Sequence, residues 1–131
     1  MFPIVLMRST LLSVGFSVAL LAAQAFKPLP TIEVTAPKDI TSVEALSGTL
    51  DAVSEKVTAC IKGGGKAETC QCRYPQELSL LRKRYESLVE QHPDWKDQML
   101  SYQYVNKEGR NVSGTLVLQN LRRQLEALKC Q

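Results

Sequence analysis

The four cysteines carry the most specific chemical signal in this sequence. They stand at Cys60, Cys70, Cys72 and Cys130. Sulfur atoms at such positions can form disulfides, bind a soft metal ion, or exchange electrons with another thiol pair. An even number of cysteines in an exported protein is normally a disulfide framework. If the chain is exported, we therefore expect two disulfides.

Two disulfide pairings of these cysteines are possible. One residue separates Cys70 from Cys72, which leaves too little room for the Cα separation and torsion of a disulfide between them. What remains is Cys60–Cys70 with Cys72–Cys130, or Cys60–Cys72 with Cys70–Cys130. The loop-entropy relation gives about 3 kcal/mol for the short loop and about 4 kcal/mol for the long one in both cases. Because these loop-closure free energies are the same for both pairings, they do not distinguish between them.

Free thiols are the alternative to disulfides. Cys70 and Cys72, with the other two sulfurs, would offer a four-thiolate site to zinc or copper(I), or would support thiol redox chemistry. Structural zinc sites usually space paired ligands two to four residues apart, a spacing that only this pair approaches. A metal-binding or thiol-redox protein is therefore the second hypothesis, and we expect no cofactor.

Other catalytic constellations are missing from the sequence. The single histidine, His92, precedes a proline at the end of a predicted helix, where its ring can interact with the last carbonyls. The glycines at residues 63 to 65 follow a helix, whereas a phosphate-binding loop precedes one. Periodicity places Glu77, Glu86 and Glu90 on an outer helix surface, away from the desolvation that a catalytic acid needs. We therefore expect a non-enzymatic protein.

The N-terminal residues predict an export signal. A basic residue precedes an uncharged apolar run over residues 10 to 23, and the Ala-Gln-Ala segment at 23 to 25 suits a signal peptidase. The run is shorter than the roughly 20 residues that span a bilayer. We expect cleavage after Ala25 and a periplasmic or extracellular product without a transmembrane segment. Translation starts at Met1 or at Met7.

Composition and charge fit one small globular domain. The chain has 131 residues, of which 44% are apolar and 22% charged, and its net charge is +3. A domain usually takes about 100 to 200 residues, and this chain is too aliphatic to be disordered. We expect a signal peptide over 1–25, an extended proline-rich tail over 26–39, and one disulfide-stapled helical domain over 40–131.

Hydrophobic periodicity predicts three helices. The first begins near Thr41, with Glu44 completing a possible capping box, and the glycines at 63 to 65 end it. Pro75 suits the first position of the second helix, and Pro93 stops it. Leucines at helical spacing mark the third, namely Leu118, Leu121, Leu125 and Leu128. If consecutive helices pack antiparallel, all four sulfurs meet at one pole.

A β-hairpin is predicted between the second and third helices. Residues 100 to 104 alternate in polarity, and residues 106 to 109 suit a type I turn closed by its glycine. The return strand runs over about 110 to 117, where Gly114 weakens it or marks a bulge. The alternative starts the third helix near Ser113 and deletes this strand. The predicted fold is a small mainly-α (α+β) disulfide-bonded domain: tail, helix, helix, hairpin, helix.

The segment at residues 31 to 36, Thr-Ile-Glu-Val-Thr-Ala, resembles the short box by which outer-membrane TonB-dependent receptors contact TonB through strand addition. The resemblance covers six residues, and the remaining chain is too short for a receptor's plug and barrel. The resemblance implies that the protein belongs to a bacterial cell envelope. It also implies that this extended segment adds as a strand to a sheet of this chain or of a partner.

The leading hypothesis is an exported non-enzymatic binding or accessory protein, such as an envelope adaptor, an inhibitor or an immunity factor. Its partner would be a protein or an envelope component rather than a nucleic acid, and its oligomeric state is left open. The basic runs at residues 82 to 84 and 122 to 123, which include Arg84, are expected on solvated faces. Within them, Arg82 with Glu86 and Arg122 with Glu126 have the i, i+4 spacing of helix ion pairs. The candidate partner-binding residues are Ile32, Val34, Arg82, Arg84, Trp95, Tyr102, Tyr104, Arg122 and Arg123.

Overall fold

A computed structural model describes residues 30 to 130, so the predicted export signal lies outside the described residues. This part of the chain forms three strands and four helices, with a short 3-10 turn at Pro93–Trp95. In chain order the elements are β1 (Thr31–Glu33), α1 (Pro37–Lys62), α2 (Ala67–Gln71), α3 (Pro75–Gln91), β2 (Met99–Val105), β3 (Asn111–Val117) and α4 (Leu118–Ala127). The predicted small α+β disulfide-bonded fold is confirmed.

Helix α1 begins at Pro37, earlier than the predicted start at Thr41. Proline is well placed in the first helical turn, where a backbone N–H has no helical partner. The Thr41 hydroxyl donates to the Pro37 carbonyl at 3.0 Å, and no side chain caps the helix. The predicted capping box with Glu44 is therefore wrong, and the extended segment ends at Ala36.

Two glycines with left-handed backbones end local elements. Gly64, with φ of 97°, follows the last turn of α1, and Gly109, with φ of 76°, closes the hairpin turn. Both conformations are strained for residues with a Cβ.

Helix α3 begins at Pro75 and ends before Pro93, as predicted. The short helix α2 was not predicted, because five residues contain no hydrophobic period.

Strands β2 and β3 form the predicted hairpin. Their antiparallel register runs without interruption from the Met99–Val117 pair to the Val105–Asn111 pair. Helix α4 begins only at Leu118, so the alternative with a longer third helix is wrong. The uninterrupted register also excludes a bulge within the strand.

Gly114 has a packing role in β3 instead of marking a bulge. It lies opposite Tyr102 on β2. A Cβ at position 114 would overlap the Tyr102 ring, with Cε1 of that ring only 2.8 Å away. The tyrosine ring therefore occupies the space that a side chain at 114 would need.

Strand β1 adds to this chain's own sheet. It pairs in parallel with β2, with Ile32 opposite Leu100. The Val34 N–H donates to the Ser101 carbonyl at 2.7 Å, just beyond the strand. The strand order is β1-β2-β3, so the segment that resembles the TonB-contacting box forms one edge of the sheet.

The core lies between the helices and one face of the sheet. The predicted apolar stripes of α1, α3 and α4 all point into it, and each of these elements contributes buried leucines. The largest fully buried side chains are those of Leu46, Leu100, Leu118, Leu121, Val43 and Cys70. Within residues 30 to 130, no helix has the length and apolar character needed to cross a membrane.

Candidate functional site

Two disulfides join the ends of the helices at one pole of the molecule. Cys60 pairs with Cys70 and Cys72 with Cys130, at Cα separations of 5.7 and 5.3 Å, within the usual range. This is the first of the two pairings left open by the sequence, and the prediction that the sulfurs meet at one pole is confirmed. Residues 30 to 130 contain no free cysteine. Cys70 and Cys72, which the metal-binding or thiol-redox hypothesis would use as thiols, are therefore both in disulfides.

An apolar groove of about 350 Å³ lies beside these disulfides, between α1, α3 and α4. Its deeper wall consists of buried side chains, namely Val53, Leu78, Leu81, Leu121 and Leu125. Its mouth is formed by the half-buried Leu50, Val57 and Leu128. The rest of the lining is alanine, serine, threonine and glutamine, so no titratable side chain faces the groove.

Helix α4 is much shorter than α1 and α3, which it packs beside at the groove. Helices α1 and α3 lie antiparallel, since Lys56 meets Glu77 at 2.6 Å near one end and Asp39 meets His92 at 2.9 Å near the other. Helix α4 has ten residues, or about 15 Å of length. It therefore covers only part of the apolar surface that the two longer helices expose toward it.

The C-terminal end of α4 is held in place by Arg82 on α3. The Arg82 guanidinium donates to the carbonyls of Leu125 and Leu128 at 3.0 and 3.4 Å. A cation at this end of a helix satisfies open carbonyls and complements the helix dipole. The predicted Arg82–Glu86 pair is wrong, because the arginine crosses to another helix. Together with the Cys130 disulfide, it fixes one side of the groove.

Arg84 also crosses between helices. Its guanidinium donates to the Thr49 hydroxyl and, at 3.1 Å, to the Ala45 carbonyl of α1. Arg122 behaves as predicted toward Glu126, at 3.2 Å, and it also meets Asp97 at 2.7 Å. Arg84 is exposed, as predicted for a solvated basic face, and its hydrogen bonds also tie α3 to α1.

The aromatic and strand residues that were predicted to bind a partner mainly pack against other residues of this chain. Val34 is 2% and Trp95 8% exposed, so these two offer little surface to a partner. Tyr102 and Ile32 pack half-buried against the core. The Tyr104 hydroxyl donates to a Glu44 carboxylate oxygen on α1 at 2.7 Å. This hydrogen bond raises the pKa of Tyr104 above its ordinary value.

Arg123 is the one candidate whose side chain is exposed on α4 without a hydrogen bond or ion pair in the described residues. No local pattern predicts the His92–Asp39 contact, which joins residues 53 positions apart. His92 also stacks on Trp95, with ring centroids 3.7 Å apart. The histidine therefore fixes the end of α3 against the start of α1.

Comparisons with protein-family models, with curated proteins and with solved structures found no match for this chain. A concave aliphatic surface binds an apolar group by removing both surfaces from water. A groove lined by no titratable side chain offers neither a general acid nor a general base. The groove is therefore a candidate site for an apolar group.

Proposed function

We propose that this protein is an exported, disulfide-stabilised binding protein whose groove holds an apolar group of its ligand. The observation that carries the proposal is the groove itself. Its volume of about 350 Å³ lies at the lower end of the range of ligand sites, about 300 to 1,000 Å³. Leu50, Val57 and Leu128 are the aliphatic side chains at its mouth, and they would lose water-exposed surface when a ligand binds.

Export is supported by two features that are independent of each other. The first 25 residues have the charge, apolar run and small residues of a signal peptide. All four cysteines are in disulfides, which persist in oxidising compartments and are rare in the cytosol. A periplasmic location suits both. Cell fractionation with intact-mass analysis should find an exported product that lacks residues 1–25.

The binding proposal is tested with a neutral fluorescent apolar probe, N-phenyl-1-naphthylamine, titrated into the exported protein. We expect saturable binding. Val57→Glu places a carboxylate at the mouth of the groove, and burying that charge against the probe is unfavourable. Affinity should fall by about tenfold or more, which corresponds to about 1.4 kcal/mol or more.

The matched control is Val105→Glu, the same substitution at a valine of β2 that is 64% exposed and absent from the groove lining. This variant should bind the probe as tightly as the unmodified protein. Absence of saturable binding, or an equal loss in both variants, would contradict the proposal. Thermal melts of both variants verify that the fold is retained.

A further inference from the structure

One end of the groove meets a strongly basic surface. We define the disulfide pole as residues 60 to 73 and 128 to 130, which contain one carboxylate, that of Glu68. The cations of the pole are Lys62, Lys66, Arg73 and Lys129, all of them exposed. The whole chain has a net charge of only +3, so the positive charge is concentrated here.

The charge of the disulfide pole is not neutralised by ion pairs within the described part of the chain. Lys62, Lys66 and Lys129 take part in none of the ion pairs formed by residues 30 to 130. The Arg73 guanidinium contacts the Cys60 sulfur at 3.7 Å and meets no carboxylate. These four cations therefore remain available to an anionic group.

Two of these cations, Lys62 and Lys129, lie close to residues that line the groove. Thr58 lines it and lies one helical turn before Lys62 on α1, a spacing that places both on the same helix face. Leu128 also lines the groove and is the chain neighbour of Lys129. The aliphatic surface therefore passes at this end into a cluster of positive charges.

Carboxylates lie beside the middle of the groove and favour the same arrangement. Asp51 and Glu55 line a neighbouring surface depression on α1, together with Ser54 and Thr58, which also line the groove. Lys62 of the disulfide pole lines the same depression, about two helical turns further along α1 than Glu55. A negative group on the ligand is repelled from these positions and attracted to the disulfide pole. These charges therefore favour a ligand orientation in which the negative group lies at the disulfide pole.

We propose that the ligand is a single-chain amphiphile with an anionic headgroup, its alkyl chain in the groove and its headgroup at the disulfide pole. This inference rests on the proposed function. The groove has a volume of about 350 Å³, which is in the range of small-molecule sites. Its lining has no tryptophan, tyrosine or arginine, the side chains that dominate protein interfaces.

The test compares three ligands with the same twelve-carbon chain and different headgroups. Dodecanoate, dodecylamine and dodecanol are used at neutral pH, below micelle-forming concentrations, to displace N-phenyl-1-naphthylamine from the exported protein. Dodecanoate should bind about tenfold more tightly than dodecylamine, and salt should reduce this preference because the lysines are exposed. The double variant Lys62→Glu with Lys129→Glu should reverse the preference and leave dodecanol binding unchanged.

The matched control is Lys83→Glu with Lys107→Glu, which changes the net charge equally at exposed lysines outside the disulfide pole. It should keep the preference for dodecanoate. Equal binding of dodecanoate and dodecylamine, or equal effects of the two double variants, would overturn the inference and leave the proposed function intact. Displacement by an amphipathic helical peptide but by no amphiphile would overturn it in favour of a protein partner. Failure of the apolar probe itself to bind would refute the proposed function.

Discussion

Single residues of this protein act mainly by connecting helices that are distant in sequence. Arg82 and Arg84 were expected on solvated faces, yet they donate to carbonyls of α4 and α1. Sequence spacing reveals partners three or four residues apart, and these partners lie 39 to 46 positions away. The same limit explains why the His92–Asp39 contact could not be predicted.

The Thr49–Arg84 contact gives a test at this scale. Thr49→Val keeps the shape of the side chain and removes the hydroxyl that accepts from Arg84 and donates to the Ala45 carbonyl at 2.7 Å. Hydrogen bonds to charged groups contribute about 1.5 to 3 kcal/mol. Because Arg84 keeps its bond to Ala45, we expect a loss of about 1 to 2 kcal/mol in the free energy of unfolding, measured with urea.

Thr41→Val is the control for this substitution. Thr41 makes the same type of bond, to the carbonyl four residues earlier, but it contacts no arginine and is exposed. Its replacement should change the free energy of unfolding by less than about 0.5 kcal/mol. Equal effects at positions 41 and 49 would show that the guanidinium contributes nothing.

Tyr104 provides a test by pH. The hydrogen bond to Glu44, then burial and the charge of that carboxylate, raise the pKa of Tyr104 above 10.0. A raised pKa in the folded state means that this contribution to stability is complete below the ordinary tyrosine pKa and is lost as pH rises through the folded one. Glu44→Ala should lower the Tyr104 titration midpoint, measured by carbon NMR of labelled tyrosine rings. Glu55→Ala, at an exposed position of α1, should leave it unchanged.

At the scale of elements, repeating patterns were predictable and long-range pairings were not. The stripes of α1 and α3 and the alternation of β2 identify their elements because each pattern is local. The start of α1 was predicted too late because Thr41 and Glu44 have the spacing of a capping box, although the buried Ile40 already extends the apolar stripe into the first turn. The parallel pairing of β1 with β2 joins Thr31 to Met99, a contact that no local pattern encodes.

A substitution in strand β3 tests whether Gly114 is needed for packing against Tyr102 or for its backbone conformation. Gly114→Ala should lower the free energy of unfolding by about 1 to 3 kcal/mol, because the new Cβ overlaps the Tyr102 ring. Gly48→Ala in α1 is the control, since a Cβ there meets no atom within 4 Å. It should stabilise the protein by about 0.5 to 1 kcal/mol. Stabilisation by both substitutions would contradict the assigned role of Gly114.

The whole molecule is a small core closed by covalent bonds at one end. The disulfide pole could be predicted from helix order, since it depends only on antiparallel packing. The groove beside it could not, because it results from the difference in length between α4 and the helices that α4 crosses. Which part of an apolar stripe stays uncovered is decided by that mismatch. The sequence thus predicts the position of the disulfides better than it predicts the groove.

The two disulfides together account for much of the predicted stability. Their sequence separations are 10 and 58 residues, for which the loop-entropy relation gives about 3 and about 4 kcal/mol. A small domain has a total of about 5 to 15 kcal/mol. The second disulfide also anchors the end of α4 beside the groove, so its loss should weaken ligand binding as well as the fold.

The most direct test of this account is the thermal unfolding of the protein with and without a reductant. At about 4 to 8 °C per kcal/mol for a domain of this size, reduction should lower the melting temperature by at least about 20 °C or leave the chain unfolded. An unchanged melting curve, in a sample whose four cysteines titrate as free thiols, would contradict the claim that these crosslinks hold the structure together.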